Sequence, residues 1–281
     1  MSQALCDFFG CLRLPFDKSL PAKDLYPSNA HQELHARLAF AFQHRFPTLV
    51  TGDIGTGKST TVRAFIQSLD PNLYLTAYVP NPNLYLTAYV PNPNLTVQAL
   101  FAYLLAAFHV STTFHPRGLG ERLQNTLAEL AQQGRRPVLV VDEAHLLSNR
   151  LLHELRFWLN ADMDAATPFT LVLLGQPDLR SRLQLKDFEA LDQRIQVRYH
   201  IQPFDLQESV SYVKHHLRVT GAETCPFSDS FIAAAHQFSH GVPRQLNRVC
   251  LNGLLLGFAE RKKILDRSEE RRVGKECRSR W

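Results

Sequence analysis

The residues that invite a chemical reading are Gly52-Asp53-Ile54-Gly55-Thr56-Gly57-Lys58-Ser59-Thr60, with the spacing Gly-x-x-x-x-Gly-Lys-Ser. Glycines at these intervals let successive backbone N–H groups turn inward around phosphate oxygens, and a helix starting at the lysine adds the positive end of its dipole. Lys58 is placed to reach the β- and γ-phosphate oxygens, and the Ser59 hydroxyl is a ligand for Mg2+. About 80 residues later Asp142 and Glu143 follow one another directly. In that pairing the aspartate holds Mg2+ through its water shell and the glutamate orients and polarises an attacking water. Either motif alone has a bland reading, a glycine-rich turn or a pair of helix-capping acids. Together they indicate hydrolysis of ATP.

Those residues work only if the right elements carry them. "PTLV" (47–50) is a short apolar run that ends in the glycine loop, and "TTVRAFIQSL" after it has the residue types of an amphipathic helix, the strand–loop–helix context such a loop requires. Val138–Val141 is a continuous apolar run of the kind found in a buried parallel strand, so Asp142 and Glu143 leave it at the edge where α/β folds bind ligands. A third apolar run, "FTLVLLGQ" (169–176), ends in Gln176 beside Pro177, a position suited to sensing a γ-phosphate; a turn-capping glutamine is the plainer alternative. Further on, "DLQESVSYVKHHL" opens with Asp205 and Glu208 in capping-box spacing and continues with Val210, Tyr212, Val213 and Leu217 near helical intervals. Two more helical patterns, 230–237 and 243–260, complete a small helical segment.

Six stretches carry a family resemblance: "FFGCLRLPF", "GDIGTGKST", "VVDEAHLL", "LLGQPDLRSRL", "LDQRIQVRYHI" and "GVPRQLNRVC". In this order they resemble the successive motifs of ExeA-type AAA+ ATPases. The resemblance implies an α/β fold: a P-loop AAA+ core with a mostly parallel five-stranded sheet flanked by helices, followed by a small α-helical lid. The implied division is an N-terminal strap and helix (1–46), a nucleotide-binding core (47–203) and a lid (204–266). It also implies roles. Gly52 to Thr60 and Arg244, the latter as the lid's sensor arginine, bind ATP, and Ser59 and Asp142 hold Mg2+. Glu143, Lys58, Gln176 and Arg194 are catalytic, Arg194 as the finger that reaches a neighbouring subunit's nucleotide, with Arg198 as the fallback. Phe9, Gly10, Pro15 and Phe16 would shape the adenine end.

Shorter members of that family resemble ATP-dependent partners of transposases. The expected behaviour is therefore a homo-oligomer, ring or filament, that assembles with ATP on double-stranded DNA and assists a transposase. A second reading is an ATPase regulating assembly of a secretion complex, and a third is a stand-alone ATPase switch. A replication helicase loader fits less well, because "GQPDLRSRL" and "FFGCLRLPF" are foreign to it. No clean basic stripe supports a DNA groove; Arg156, Arg180, Arg182, Lys186, Arg248 and Arg261-Lys262-Lys263 are the available cations.

Composition sets outer bounds. The net charge is +5, but the last fifteen residues hold six bases and three acids, which leaves residues 1–266 only weakly basic at +2. Five cysteines without a C-x-x-C pair indicate neither a disulfide framework nor a zinc site. No apolar run approaches the ~18 residues of a membrane span, so a cytoplasmic protein without a membrane partner is expected. The 11-mer "PNLYLTAYVPN" occurs at 71–81 and again at 82–92. Each copy reads as one short strand bounded by Asn and Pro, and two copies are too few for a solenoid. The segment 267–281 lacks periodicity and reads as a non-native tail.

Overall fold

The computed structural model describes residues 2–17, 20–79, 96–110, 118–159 and 167–266. The second copy of the 11-mer and the 267–281 segment lie outside them. The chain forms two compact units.

One unit comprises Glu33–Gly52 and Lys58–Ile201. Its centre is a sheet of five parallel strands: β1 (Thr48–Gly52), β2 (Tyr74–Val79), β3 (Arg136–Val141), β4 (Thr170–Gly175) and β5 (Val197–Ile201), in the order β2-β3-β4-β1-β5. β1 and β4 are buried along their whole length, as expected of parallel strands covered on both faces. Helices Lys58–Gln67, Val97–Ala107, Leu119–Gln132 and Asn149–Trp158 flank the sheet, and the leucines and phenylalanines of the last three meet Leu139, Val141, Leu171 and Leu173 in one apolar cluster. Thr96 and Ser148 cap two of these helices by accepting from the backbone N–H groups of Ala99 and Leu151. The first copy of the 11-mer supplies β2, which among the described residues is an edge strand paired with β3, in register Tyr78↔Val140 and Val79↔Val141.

Parallel direction has one consequence for chemistry. The carboxyl ends of β1, β3 and β4 fall on the same sheet edge, with Thr51 opposite Gly175 and Val141 opposite Leu173. Gly52, Asp142 and Gln176 are therefore delivered to one side of the sheet by topology alone.

The second unit gathers the described residues of Met1–Gln32, Asp53–Gly57 and Gln202–Trp281. Helices Leu206–Val219, Asp229–Ser239 and Pro243–Glu260 pack with the N-terminal helix Ser2–Phe9 around Phe204, Tyr212, Phe231, Leu246 and Leu254. Half of the expected capping box is present: the Asp205 carboxylate accepts from the Glu208 N–H at 2.7 Å, while the Glu208 carboxylate accepts from the Asn29 N–H at 3.3 Å. Residues 1–32 thus share a core with the C-terminal helices, and Phe9 and Phe16 are buried inside that core.

Candidate functional site: a phosphate loop and a carboxylate edge

The glycine loop is shaped by positive φ at Gly55 (+89°) and Gly57 (+97°), which residues with a Cβ avoid. Within the loop the Thr56 hydroxyl donates to the Asp53 carbonyl at 2.9 Å. Both glycines are also crowded: a Cβ on Gly55 would lie 2.6 Å from the Arg244 Cβ, and one on Gly57 would lie 2.8 Å from His31 Nε2. The Arg244 backbone N–H donates to the Gly55 carbonyl at 3.3 Å. Arg244 stands on the first turn of the helix Pro243–Glu260, where Pro243 occupies the position that needs no N–H. Its side chain is exposed. The His31 ring is held against the same loop, and burial pushes its pKa down, opposed by the Tyr26 and Thr56 carbonyls.

At the first residue of the helix Lys58–Gln67, Lys58 is 6% exposed and donates from Nζ to the Gly52 carbonyl at 2.6 Å. The ammonium is thus folded back over the end of β1, with a carbonyl where a phosphate oxygen could accept instead.

Asp142 is 5% exposed, and both of its oxygens are engaged. Oδ1 accepts from the Glu143 N–H at 2.9 Å, and Oδ2 accepts from the Tyr78 phenol at 2.6 Å. The Ser59 hydroxyl also bears on the same phenol electrostatically. Burial pushes the Tyr78 pKa far up, and the Asp142 carboxylate adds to that, so the phenol keeps its proton. Ser59 and Asp142 are a hydroxyl and a carboxylate, hard oxygen donors of the type Mg2+ prefers, and the residues present fit that ion.

Glu143 adopts a left-handed backbone (φ 51°, ψ 38°), an uncommon conformation for a non-glycine residue that turns the chain sharply out of β3 into the short 3-10 turn Ala144–Leu146. Its Oε2 lies 3.5 Å from His145 Nδ1. On the other side of that ring, His145 Nε2 is 3.0 Å from the Gln176 amide nitrogen. The amide nitrogen can only donate, so Nε2 accepts and Nδ1 carries the proton that faces Glu143. Arg182 pins the turn by donating to the His145 carbonyl (3.0 Å) and to Asn149 Oδ1 (2.5 Å).

Other expected site residues are positioned as follows. Arg194 donates to the Ala190 carbonyl at 2.9 Å, and Arg198 makes an ion pair with Asp192 at 2.8 Å. Both guanidinium groups thus bond to the segment Glu189–Asp192 of their own chain. Phe16 stacks on His216 at 5.3 Å between ring centres. Tyr78, His145 and His31 were not picked out from the sequence. Their roles depend on neighbours distant in the chain, and the only linear clue was the place of Tyr78 one residue before the end of a strand.

An all-parallel sheet in this order, with a glycine–lysine loop after its β1 strand, defines a P-loop ATPase of the AAA+ type. A profile of the AAA domain matches residues 43–183, half of the sequence, and the chain belongs to that family, in its ExeA-type branch. It is 34% identical over 259 residues to the general secretion pathway protein A of Aeromonas hydrophila, an alignment that takes in 90% of this chain and 44% of that protein. The chain therefore spans less than half the length of that relative. Among solved structures it is similar to Cdc6p of Pyrobaculum aerophilum, with TM-score 0.64 and 15% identity over 92% of this chain and 71% of the other. Drosophila ORC bound to DNA gives 0.62 and 16%, over 92% and 63%. The RuvB Holliday junction branch migration motor of Thermotoga maritima gives 0.57 and 17%, over 89% and 69%. At these identities the likeness concerns the fold.

Proposed function

We propose that the chain is a Mg2+-dependent ATPase switch that assembles as a homo-oligomer on double-stranded DNA in the ATP state and assists a transposase. The observation that carries the ATPase part is the shared sheet edge, which presents Lys58, Ser59, Asp142, Glu143 and Gln176 from elements of a single unit. In this reading the loop Gly52–Thr60 wraps the phosphates and Lys58 exchanges its bond to the Gly52 carbonyl for one to a phosphate oxygen. Glu143 accepts the proton of the attacking water. Gln176 contacts the γ-phosphate. Arg244 reads the nucleotide from the helical segment, and Arg194 acts on a neighbouring subunit after leaving the Ala190 carbonyl. Bound Mg2+, held by Ser59 and Asp142, would neutralise phosphate charge.

The DNA and transposase part is supported by the resemblance of the six motifs and by neighbours of the same fold, one of them solved bound to DNA. A second reading, regulation of a secretion complex, is favoured by the Aeromonas relative. Among the described residues no helix is long and apolar enough to cross a membrane.

Sedimentation of the purified chain with and without duplex DNA, in ATP, in ADP and as Glu143→Gln in ATP, separates these readings. Large DNA-bound assemblies only with ATP, persisting in the variant, are the expected result. Assemblies indifferent to DNA would remove the transposase reading and leave a protein-directed switch.

A further inference from the structure

A side chain bonded to the carboxylate edge, Tyr78, has no place in the P-loop motifs. Its phenol touches Asp142, one of the two residues assigned to the metal ion, while Ser59 and Arg63 bear on it electrostatically. The direction of the bond follows from donor inventory. An ionised carboxylate can only accept, so the single phenol proton goes to Asp142 Oδ2.

The phenol is itself held firmly. Tyr78 sits in β2 in register with Val140, two residues before Asp142 on the adjacent strand, and its carbonyl accepts from the Tyr103 hydroxyl at 2.5 Å. Tyr103 comes from the helix Val97–Ala107, which packs on the face carrying Ala77 and Val79, opposite the phenol. The backbone at Tyr78 is thus fixed by a strand ladder and a helix, and Asp142 by the phenol and by the Glu143 N–H. A carboxylate at 5% exposure with both oxygens accounted for keeps one orientation.

We infer that Tyr78 is a positioning residue for the metal ion: its phenol, bonded to Asp142 Oδ2, sets the orientation of that carboxylate and thereby the affinity of the site for Mg2+. The inference rests on the nucleotide-site reading above. Partners of this kind, which bond the ligands rather than the ion, typically change metal affinity about 10- to 100-fold when removed. The second copy of the 11-mer has a tyrosine, Tyr89, at the equivalent place, so the duplication conserves the phenol in either copy.

The test uses binding rather than turnover. A fluorescent ATP analogue is titrated into the full chain in EDTA, and then at fixed analogue across a range of Mg2+ concentrations, for the wild type and Tyr78→Phe. With the phenol gone, the Mg2+ concentration at half effect should rise roughly tenfold or more, while affinity in EDTA stays within about twofold. Asp142→Asn and the double variant complete a cycle. If the phenol acts through Asp142, its removal in the Asp142→Asn background shifts the Mg2+ curve by no more than about twofold. A Tyr78→Phe curve that overlays the wild type, or a lower melting midpoint with no change in Mg2+ dependence, overturns the inference and leaves Tyr78 as packing. A wild-type chain that binds no analogue under any condition overturns the nucleotide-site reading itself, a different and separately visible outcome.

Discussion

At the scale of single residues, the candidate site links three side chains in series. Gln176 donates to one nitrogen of His145 and so fixes the proton on the other, which faces Glu143. A contact between Gln176 and a γ-phosphate would thus be felt two side chains away, at Glu143, the proposed base. Truncation by His145→Ala should lower kcat about tenfold or more with little change in KM, because Glu143 loses its orienting neighbour while phosphate binding is untouched. Steady-state kinetics measures that split. Glu143→Gln should lower kcat by at least about 100-fold and leave nucleotide binding in place. The difference between these residues also explains what was legible. Lys58, Ser59, Asp142 and Glu143 belong to contiguous motifs whose chemistry depends on local backbone, so reading along the chain finds them. His145 and Tyr78 belong to no such motif, because each acquires its partner only through the β2–β3–β4 order of the sheet.

At the scale of elements, the second unit depends on a few tight approaches. Gly241, at φ +72°, has the Phe204 carbonyl oxygen 2.0 Å from where a Cβ would stand, and its own carbonyl accepts from the Phe204 N–H. Backbone against backbone cannot yield as a flexible side chain does. Gly241→Ala should therefore cost at least about 2 kcal/mol in a urea unfolding experiment. His216 is a second sensitive point, 3% exposed and packed between Phe16 and Tyr212. Burial, with smaller contributions from His215 and Arg13, lowers its pKa from 6.5 to about 4. Between these values the unfolded chain binds a proton that the folded chain refuses, so stability is full above pH 6.5 and falls as the pH drops towards 4. The loss is roughly 3 kcal/mol when complete. Urea midpoints at neutral and acidic pH should show it, and His216→Phe should flatten that part of the profile. The strands and helices themselves were largely visible in the apolar runs: β2 spans the Tyr74–Val79 run, and the helix Pro243–Glu260 begins and ends where its pattern does. The placement of residues 1–32 was not visible, since no local pattern tells an N-terminal helix which core it will join.

At the scale of the whole molecule, the duplicated 11-mer meets the sheet at its least demanding position. β2 is an edge strand, so a second identical copy competes for one slot without splitting a central ladder. Deleting residues 82–92 should retain Tyr74–Val79 as β2 and raise the thermal midpoint by removing that competition; an unchanged or lower midpoint would count against it.

The unit built from both ends of the chain also imposes an order on its own synthesis. The Leu12 N–H bonds to the Thr220 carbonyl, and Leu5, Cys6 and Phe9 are buried with residues from Phe204 to Leu265. A ribosome adding about 5–20 residues per second releases those partners roughly 10–40 s after the N-terminal helix has emerged. During that interval an apolar segment waits in solution while the five-stranded unit is completed. The vulnerable period for this protein therefore falls within translation, when chaperone capacity rather than equilibrium stability decides the yield of folded chain.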